Sequence, residues 1–318
     1  MLQRASAAVS ENVDHISTAV SSHLLVCGSK AALIDASVAG CQEQLCAGIE
    51  SSLGSLDLLE YILLTHVHFD HLGAVPYLRN KKPDLKLFTS DSAAEILKDR
   101  DLLAQLYQQN QEVSQAMNAD FNFSPAQWMS YFEVSEVVGE GDSLDLGLGV
   151  NVRVLDLPGH TSDLVGYFIT PDQILDAGEA VGGIFGRAQL SPAFCAGYRD
   201  YLKSLDRICD LQCHAINFSH SGVLRGNLVP EYLSEAKESA EKFYSQVRSR
   251  LRASETPKAI AQDLLGDWQA GRISPEGPFC NTQMIVIKDM VDTVSRELAT
   301  TVDRRGSKHS KKDDRSKS

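Results

Sequence analysis

Three histidines and a carboxylate crowd one short segment of this 318-residue chain. Residues 65–71 read Thr-His-Val-His-Phe-Asp-His, which places three of the nine histidines of the chain within six positions. At the histidine frequency of this chain, three at specified positions arise by chance in about 2 of 100,000 windows. An extended loop sends alternate side chains to one side, so His66 and His68 can bind one metal ion together. Asp70 and His71 then face a neighbouring position that suits a second ion.

Two metal ions need more ligands than this segment supplies, and further candidates follow predicted strands. His160 and His220 each end a strand, and Asp176 and Glu179 follow another. Imidazole and carboxylate groups are ligands that zinc, iron and manganese accept. Each of these histidines alone is more typical of a structural or surface role, but together with residues 65–71 they indicate a metal centre. Four other histidines lack such a placement and are expected to have no catalytic role: His15, His23, His214 and His309.

The elements that must position these residues alternate between strands and helices, which is typical of an α/β fold. Residues 23–27 and 31–35 predict a hairpin at the edge of a sheet, and residues 61–64 a strand buried on both faces. Ser92 and Glu95 have the spacing of a capping box that opens a long helical stretch towards Gln127. Such a stretch would wall a pocket.

The pattern after Pro230 is helical, and it divides the chain into three predicted parts. Residues 1–228 would form the metal-binding catalytic domain, residues 229–302 a helical extension, and residues 303–318 a disordered tail without apolar side chains to bury. The extension carries apolar residues at helical spacing, and such a face needs an apolar partner. We expect it to cover the metal cleft or to pair with a second copy of the chain in a homodimer.

The composition argues against several functional classes. A net charge of −12 disfavours nucleic acid and anionic membrane surfaces as partners. No apolar stretch approaches the length of a membrane span, and the polar N-terminal residues do not resemble a signal peptide, so we expect a cytoplasmic protein. The seven cysteines, scattered without C-x-x-C spacing, suit reduced core thiols.

Four short motifs resemble the metal-binding motifs of the metallo-β-lactamase superfamily. They are His66-x-His68-x-Asp70-His71, Pro158-Gly159-His160-Thr161, Gly178-Glu179 and His220-x-Gly222. The resemblance implies a four-layer αββα sandwich with a helical C-terminal extension. Within the superfamily, residues 63–78 and 222–226 and the helical extension resemble the aminobenzoylacetyl thioesterases of the bacterial quinolone-signal pathway.

The resemblance also implies the roles of individual residues. His66, His68 and His160 would hold one ion, and Asp70, His71 and His220 the other. Where the family usually carries a bridging aspartate, this chain has Glu179, which we expect to bridge the ions, and Asp176 three residues earlier is the alternative. Asp70 would also orient the attacking hydroxide, and Asp35 stands where the family carries a structural aspartate.

The expected function is a metal-dependent hydrolase that attacks a carbonyl with a metal-bridging hydroxide. Two divalent metal ions are expected as cofactors, zinc first and iron or manganese as alternatives. The substrate would be a small acyl compound, namely a thioester, ester or lactone, because a thiol leaves with little protonation whereas an amide nitrogen needs a well-placed acid. An iron-dependent redox enzyme on the same scaffold and a regulatory binding protein with residual hydrolase activity are the alternative functions.

Overall fold

Two seven-stranded β-sheets form the centre of the molecule, whose computed structural model describes residues 2–185, 189–270 and 280–310. The N-terminal sheet has the strand order β2-β3-β4-β5-β6-β7-β8. Its strands are β2 (Ala7–Ala8), β3 (Val13–Ser17), β4 (Ser22–Cys27), β5 (Ala31–Ile34), β6 (Leu59–Leu63), β7 (Lys86–Thr89) and β8 (Glu136–Val137). Strands β5 to β8 run parallel to one another, and β2 to β5 are antiparallel.

The C-terminal sheet has the strand order β1-β16-β15-β12-β11-β10-β9. Its strands are β1 (Leu2–Gln3), β9 (Ser143–Gly147), β10 (Val150–Asp156), β11 (Val165–Thr170), β12 (Ile174–Asp176), β15 (Ala215–Phe218) and β16 (Gly222–Arg225). A separate hairpin joins β13 (Gly183–Phe185) to β14 (Gln189–Ser191). The first strand of the chain thus lies in the C-terminal sheet, where it pairs with β16.

Helices cover the outer face of each sheet. Those that follow the strands of the N-terminal sheet are α1 (Gln42–Leu53), α2 (Phe69–Leu72), α3 (Val75–Lys81), α4 (Asp91–Lys98), α5 (Arg100–Ala116) and α6 (Pro125–Met129). Those beside the C-terminal sheet are α7 (Tyr198–Asp210), α8 (Leu228–Arg252), α9 (Pro257–Ala270) and α10 (Cys280–Ser310).

Three separate apolar cores hold these layers together. One lies between the sheets and includes Val26, Ile34, Val154 and Ile169. A second joins the N-terminal sheet to its helices, and a third joins the C-terminal sheet to α7, α8, α9 and α10. Burial of apolar surface at three interfaces stabilises four layers, which confirms the αββα sandwich expected from the sequence.

Two local predictions need correction. The hairpin of β4 and β5 forms as predicted, but it lies inside the sheet between β3 and β6, because residues 13–17 supply a further strand on one side. The first long helix begins one residue after Ser90 rather than at the predicted capping box, since the Ser90 side chain accepts a hydrogen bond from the Ala93 amide. Spacing alone does not distinguish two serines that both precede a helical pattern.

The C-terminal helices begin at Leu228 and pack on the C-terminal sheet and α7. Ile287, Val291 and Val294 are buried, so one face of α10 is anchored. The helix continues to Ser310, and it therefore includes residues 303–310, for which composition alone predicted disorder. Extending an anchored helix adds one hydrogen bond per residue fixed and needs no new nucleus. Residues 311–318 lie outside the described part of the chain, and the division into domains stays a prediction.

None of the helices in the described ranges is long and apolar enough to span a bilayer.

His23 on β4 is fully buried between polar partners near the base of the metal-site residues. Its Nε2 lies 2.7 Å from the Ser21 hydroxyl, and its Nδ1 lies 3.3 Å from the Ile34 carbonyl oxygen. Burial lowers the pKa of this imidazole to about 4, so the folded protein holds it neutral.

The stability of the fold should therefore depend on the protonation of His23. Its contribution is complete above the ordinary pKa of 6.5 and is lost as the pH falls towards about 4, because only the unfolded chain binds the proton in that range. We expect His23→Gln to flatten the fall in unfolding free energy between pH 7 and 4 by up to about 3 kcal/mol, measured by urea denaturation. The exposed His214→Gln variant is the matched control, and an unchanged pH profile in His23→Gln would contradict this account.

Candidate metal centre

The predicted site residues come together in two neighbouring groups at the ends of strands. His66, His68, Asp70 and His71 follow β6, His160 follows β10, Glu179 follows β12, and His220 lies between β15 and β16. The first group consists of His66, His68, His160 and Glu179, and the second of Asp70, His71 and His220. Within each group the candidate ligand atoms lie within 4.8 Å of one another. The structure thus brings together these seven candidate ligands, and Asp176 is not among them.

Asp35 at the end of β5 fixes the loop that carries four of these residues. Its Oδ1 accepts the Thr65 amide at 2.8 Å, and its Oδ2 accepts the Thr65 hydroxyl at 2.8 Å and His71 Nδ1 at 2.8 Å. The carboxylate is buried, so water does not compete for these bonds. This is the structural role that the family resemblance implied for Asp35.

Four of the histidines have one ring nitrogen held by the surrounding protein. His71 Nδ1 bonds to Asp35, and the other contacts are His66 Nδ1 to Thr65 Oγ1 at 3.0 Å, His160 Nδ1 to the Ala193 oxygen at 2.7 Å and His220 Nδ1 to the Val20 oxygen at 3.0 Å. Carbonyl oxygens can only accept, and Thr65 already donates to Asp35, so these nitrogens are the donors. In the neutral ring the opposite nitrogen is then left as a lone-pair acceptor.

The ring nitrogens opposite these contacts converge on one another. His66 Nε2 lies 2.9 Å from His68 Nδ1, and His160 Nε2 lies 3.1 Å from the same atom. His71 Nε2 is buried and has no hydrogen-bond partner in the described chain. Ring nitrogens held this close repel one another whether they carry lone pairs or protons, and a buried unpaired nitrogen is costly, whereas a divalent cation bound to the deprotonated rings removes both costs. The donor set of imidazoles and carboxylates therefore fits divalent metal ions.

Glu179 reaches between the two groups. Its Oε2 lies 2.7 Å from His160 Nε2, 3.4 Å from His66 Nε2 and 3.7 Å from His71 Nε2, and its Oε1 lies 3.7 Å from His220 Nε2. Asp176 instead points away from the histidines, accepting the Gly178 amide at 3.1 Å and the Asn217 side-chain amide at 2.8 Å. This arrangement supports Glu179 as the bridging acid and gives Asp176 the task of holding the loop that carries it.

The protonation states of the histidines differ sharply. Burial lowers the pKa of His66 well below its ordinary value, and the nearby His71 and His68 add to that effect. Burial also opposes protonation of His71, but the Asp35 carboxylate overcomes it and raises the pKa of His71 to about 9. Metal binding must therefore displace a proton from His71, so metal affinity should rise with pH up to that value.

Asp163 is a site-forming residue that the sequence analysis missed. Its Oδ2 accepts the Val67 amide at 2.9 Å, and its main-chain carbonyl accepts the Ser90 hydroxyl at 2.7 Å. It thereby ties the histidine loop to the loop that carries His160. Its position three residues after His160 marks it only as a possible support for that histidine, whereas its actual partner is the distant Val67 amide.

A cavity of about 610 Å³ opens beside His68 and His160. Helices α4 and α5 form one wall, as the long helical stretch predicted, and Arg296 of α10 contributes to another. The helical extension therefore does border the metal cleft. A cavity of this volume holds a small organic substrate next to the ligand cluster.

The two acids near the end of β12 give a sharp test of the site. We expect Glu179→Gln to lose the second metal ion and to reduce activity more than about 100-fold, since an amide is a weak bridging ligand. Asp176 only supports the loop, and Asn has nearly the same shape, so we expect the activity of Asp176→Asn to fall only about tenfold. Glu179→Asp should remain active. Metal content by mass spectrometry and initial rates measure both effects. The reverse order of the two amide variants would move the bridge to Asp176.

The comparisons with known proteins agree with this geometry. The family model of the metallo-beta-lactamase superfamily matches residues 18–220. A metallo-beta-lactamase fold-containing protein of Sulfurisphaera tokodaii is 27% identical over 203 residues, covering 59% of this chain and 72% of that protein. Its crystal structure superimposes on 69% of this chain and 79% of its own with a TM-score of 0.51.

Two relatives carry names of hydrolases. The hydroxyacylglutathione hydrolase GloC of Haemophilus influenzae is 33% identical over 157 residues, which is 48% of this chain and 63% of the relative. An atrochrysone carboxyl ACP thioesterase of Claviceps purpurea is 23% identical over 257 residues, which is 79% of this chain and 66% of the relative. The chain thus spans less than two thirds of either hydrolase. The family match over residues 18–220, together with the αββα fold of the structure, shows that the chain belongs to the metallo-β-lactamase superfamily.

Proposed function

We propose that this protein is a metal-dependent hydrolase of thioesters, with a small acyl compound as substrate. The observation that carries the proposal is the convergence of imidazole lone pairs and carboxylates beside an open cavity. Such a cluster of buried polar groups is costly in a folded core unless a cation binds it. The cavity gives a carbonyl compound access to the cluster.

The ligand set divides between two divalent ions, for which zinc is our first choice. His66, His68 and His160 would hold one ion, Asp70, His71 and His220 the other, and Glu179 would contact both. Bound divalent ions supply Lewis-acid chemistry, in that they make water more acidic and polarise a carbonyl group. Nitrogen-rich sites with a few carboxylates suit zinc, and iron or manganese are the alternatives.

Asp70 is the residue that we assign to positioning the attacking water. It is buried, and its Oδ2 lies 3.4 Å from His220 Nε2. A carboxylate in that place accepts a hydrogen bond from water and orients its lone pair towards the substrate carbonyl. No serine or cysteine nucleophile is needed for this reaction.

The groups around the cavity favour a thioester over an amide. Among the described residues that line it, the carboxyl side chain is that of Asp163, which already accepts the Val67 amide. Among these described lining residues, no carboxylic acid is thus free to protonate a departing nitrogen. A thiol of pKa about 8.5 leaves as the thiolate with little such help.

The relatives support the same direction. One is named as a thioesterase and another as a hydrolase of hydroxyacylglutathione. The likeness of the C-terminal helices to quinolone-pathway thioesterases stays a prediction, as do the identity of the acyl group and the location of the protein in the cell.

Removal of two histidines should abolish both metal binding and hydrolysis. We expect the double variant His66→Ala, His68→Ala to hydrolyse thioesters at least about 1,000-fold more slowly, because it lacks two of the proposed ligands of the first ion. Metal content, circular dichroism and a panel of thioesters, lactones and phosphoesters measure the outcome.

The exposed His214→Ala variant is the control for loss of an imidazole alone. Full metal content in the double variant would contradict the site. A protein that retains iron and hydrolyses no member of the panel would favour the redox alternative.

A further inference from the structure

One face of α5 presents a mixed apolar and amide surface to the cavity. Leu102, Gln105, Leu106 and Gln109 follow one another at helical spacing and all line it. The leucines offer contact to a hydrocarbon chain, and the glutamines offer hydrogen bonds at intervals along the same face. A substrate group bound here should therefore be largely apolar with a polar end.

The lining of the cavity also includes a guanidinium group from α10, that of the exposed residue Arg296. Arg296 Nη2 donates to the Thr293 hydroxyl at 2.8 Å and to the Cys195 carbonyl at 3.3 Å. Both of these partners are uncharged, and Asp289 of the same helix is an acid within electrostatic range of the guanidinium. In a chain of net charge −12, a guanidinium beside a cavity can attract an anionic ligand.

A short segment couples this cation to the metal centre. The Ala193 carbonyl accepts His160 Nδ1 at 2.7 Å, and two residues later the Cys195 carbonyl accepts both Arg296 and the Thr293 hydroxyl, the latter at 2.5 Å. Thr293 is buried, whereas the Arg296 side chain is exposed. Residues 193–195 thus connect the hydrogen bonds of the guanidinium to a predicted metal ligand.

Helix α10 also passes close to His68. Burial raises the pKa of Asp289, and Lys288, His68 and Arg296 oppose that rise, so both the imidazole and the guanidinium lie within electrostatic range of this acid. Asp289 precedes Arg296 by two helical turns. The axis of α10 thus runs from the metal side of the cleft to the Arg296 side.

We propose that Arg296 binds a carboxylate at the far end of the acyl group, so that the preferred substrates are thioesters of dicarboxylic acids. This rests on the thioester hydrolysis proposed above. The hydrocarbon part of the acyl group packs on Leu102 and Leu106, the thioester carbonyl lies at the metal centre, and the distal carboxylate forms a charge-assisted pair with the guanidinium. The leaving thiol must depart into solvent, which leaves the walled cavity to the acyl side.

The test compares matched thioesters on the metal-loaded, full-length protein. Adipoyl and hexanoyl thioesters of N-acetylcysteamine have the same length and the same uncharged thiol, and suberoyl and octanoyl thioesters form a longer pair. We expect the wild type to prefer the acid of a pair by about 10- to 100-fold in kcat/KM. Arg296→Gln should abolish that preference, chiefly through KM, and Arg296→Lys should restore part of it.

A control variant separates this role from a general effect of charge. Arg252 is exposed near the end of α8 and does not line the cavity, so Arg252→Gln removes the same charge and should keep the wild-type preference. An equal fall of both members of a pair in Arg296→Gln would show a merely structural role and would overturn the proposal. An effect of Arg296→Gln on coenzyme A thioesters alone would assign the guanidinium to the leaving group instead, which also overturns it.

Binding of the free acids distinguishes this proposal from the proposed function. Calorimetry should show adipate binding about 10-fold or more tighter than hexanoate, with the difference lost in Arg296→Gln. If no thioester is hydrolysed but this difference is found, the carboxylate site stands and the hydrolase assignment fails. If thioesters are hydrolysed without any dependence on Arg296, the hydrolase stands and the carboxylate site fails.

Discussion

The carboxylate of Asp35 is the group on which the metal centre depends. It lies at the end of β5 and binds both the residue before the histidine loop, Thr65, and the last histidine of that loop, His71. Its backbone has a φ of 58°, a left-handed conformation that aspartate tolerates better than most residues. The turn directs the carboxylate towards the end of β6, where it binds Thr65 and His71. These bonds fix the loop and thereby the positions of its ring nitrogens. Without these bonds the imidazole rings of the loop would move apart, because their charges or lone pairs repel one another.

The histidine cluster could be predicted because its information is local. His66, His68, Asp70 and His71 lie within six residues. Alternation in an extended loop predicts the pairing of His66 and His68, whereas Asp70 and His71 join the second group because helix α2 begins at Phe69 and not because the loop stays extended. His160 and His220 required the further assumption that strand ends meet at one edge, which holds in this sandwich. The choice between Asp176 and Glu179 was beyond spacing. Gly178, with a φ of 54°, turns the chain between them, so that Asp176 faces Asn217 and Glu179 faces the histidines.

Features that depend on distant partners could not be predicted in the same way. The sequence of the β4–β5 hairpin does not indicate that residues 13–17 pair with its outer strand. Likewise, nothing in the segment around Asp163 identifies the Val67 amide as its partner, 96 residues away in the chain. Arg296 is a still clearer case, since a lone arginine in a charged helix is indistinguishable by sequence from its solvated neighbours. The role that we propose for Arg296 rests on its hydrogen bond to the Cys195 carbonyl and on the cavity that both residues line.

The candidate metal ligands and the arginine that we propose to bind substrate lie in different parts of the chain. The region that matches the superfamily, residues 18–220, contains all the candidate metal ligands, whereas Arg296 lies beyond it in α10. The helix is nonetheless a firm part of the cleft, because the Glu297 carboxylate accepts the Tyr198 amide at 3.1 Å and Tyr198 stacks on Tyr244 of α8 at 3.8 Å between ring centroids. A change in the exposed groups of α10 would alter what the cavity accepts, while the carbonyls of residues 193 and 195 would keep His160 and the helix in register. Under our proposal, substrate preference would therefore vary through the helical extension without a change in the geometry of the candidate metal ligands.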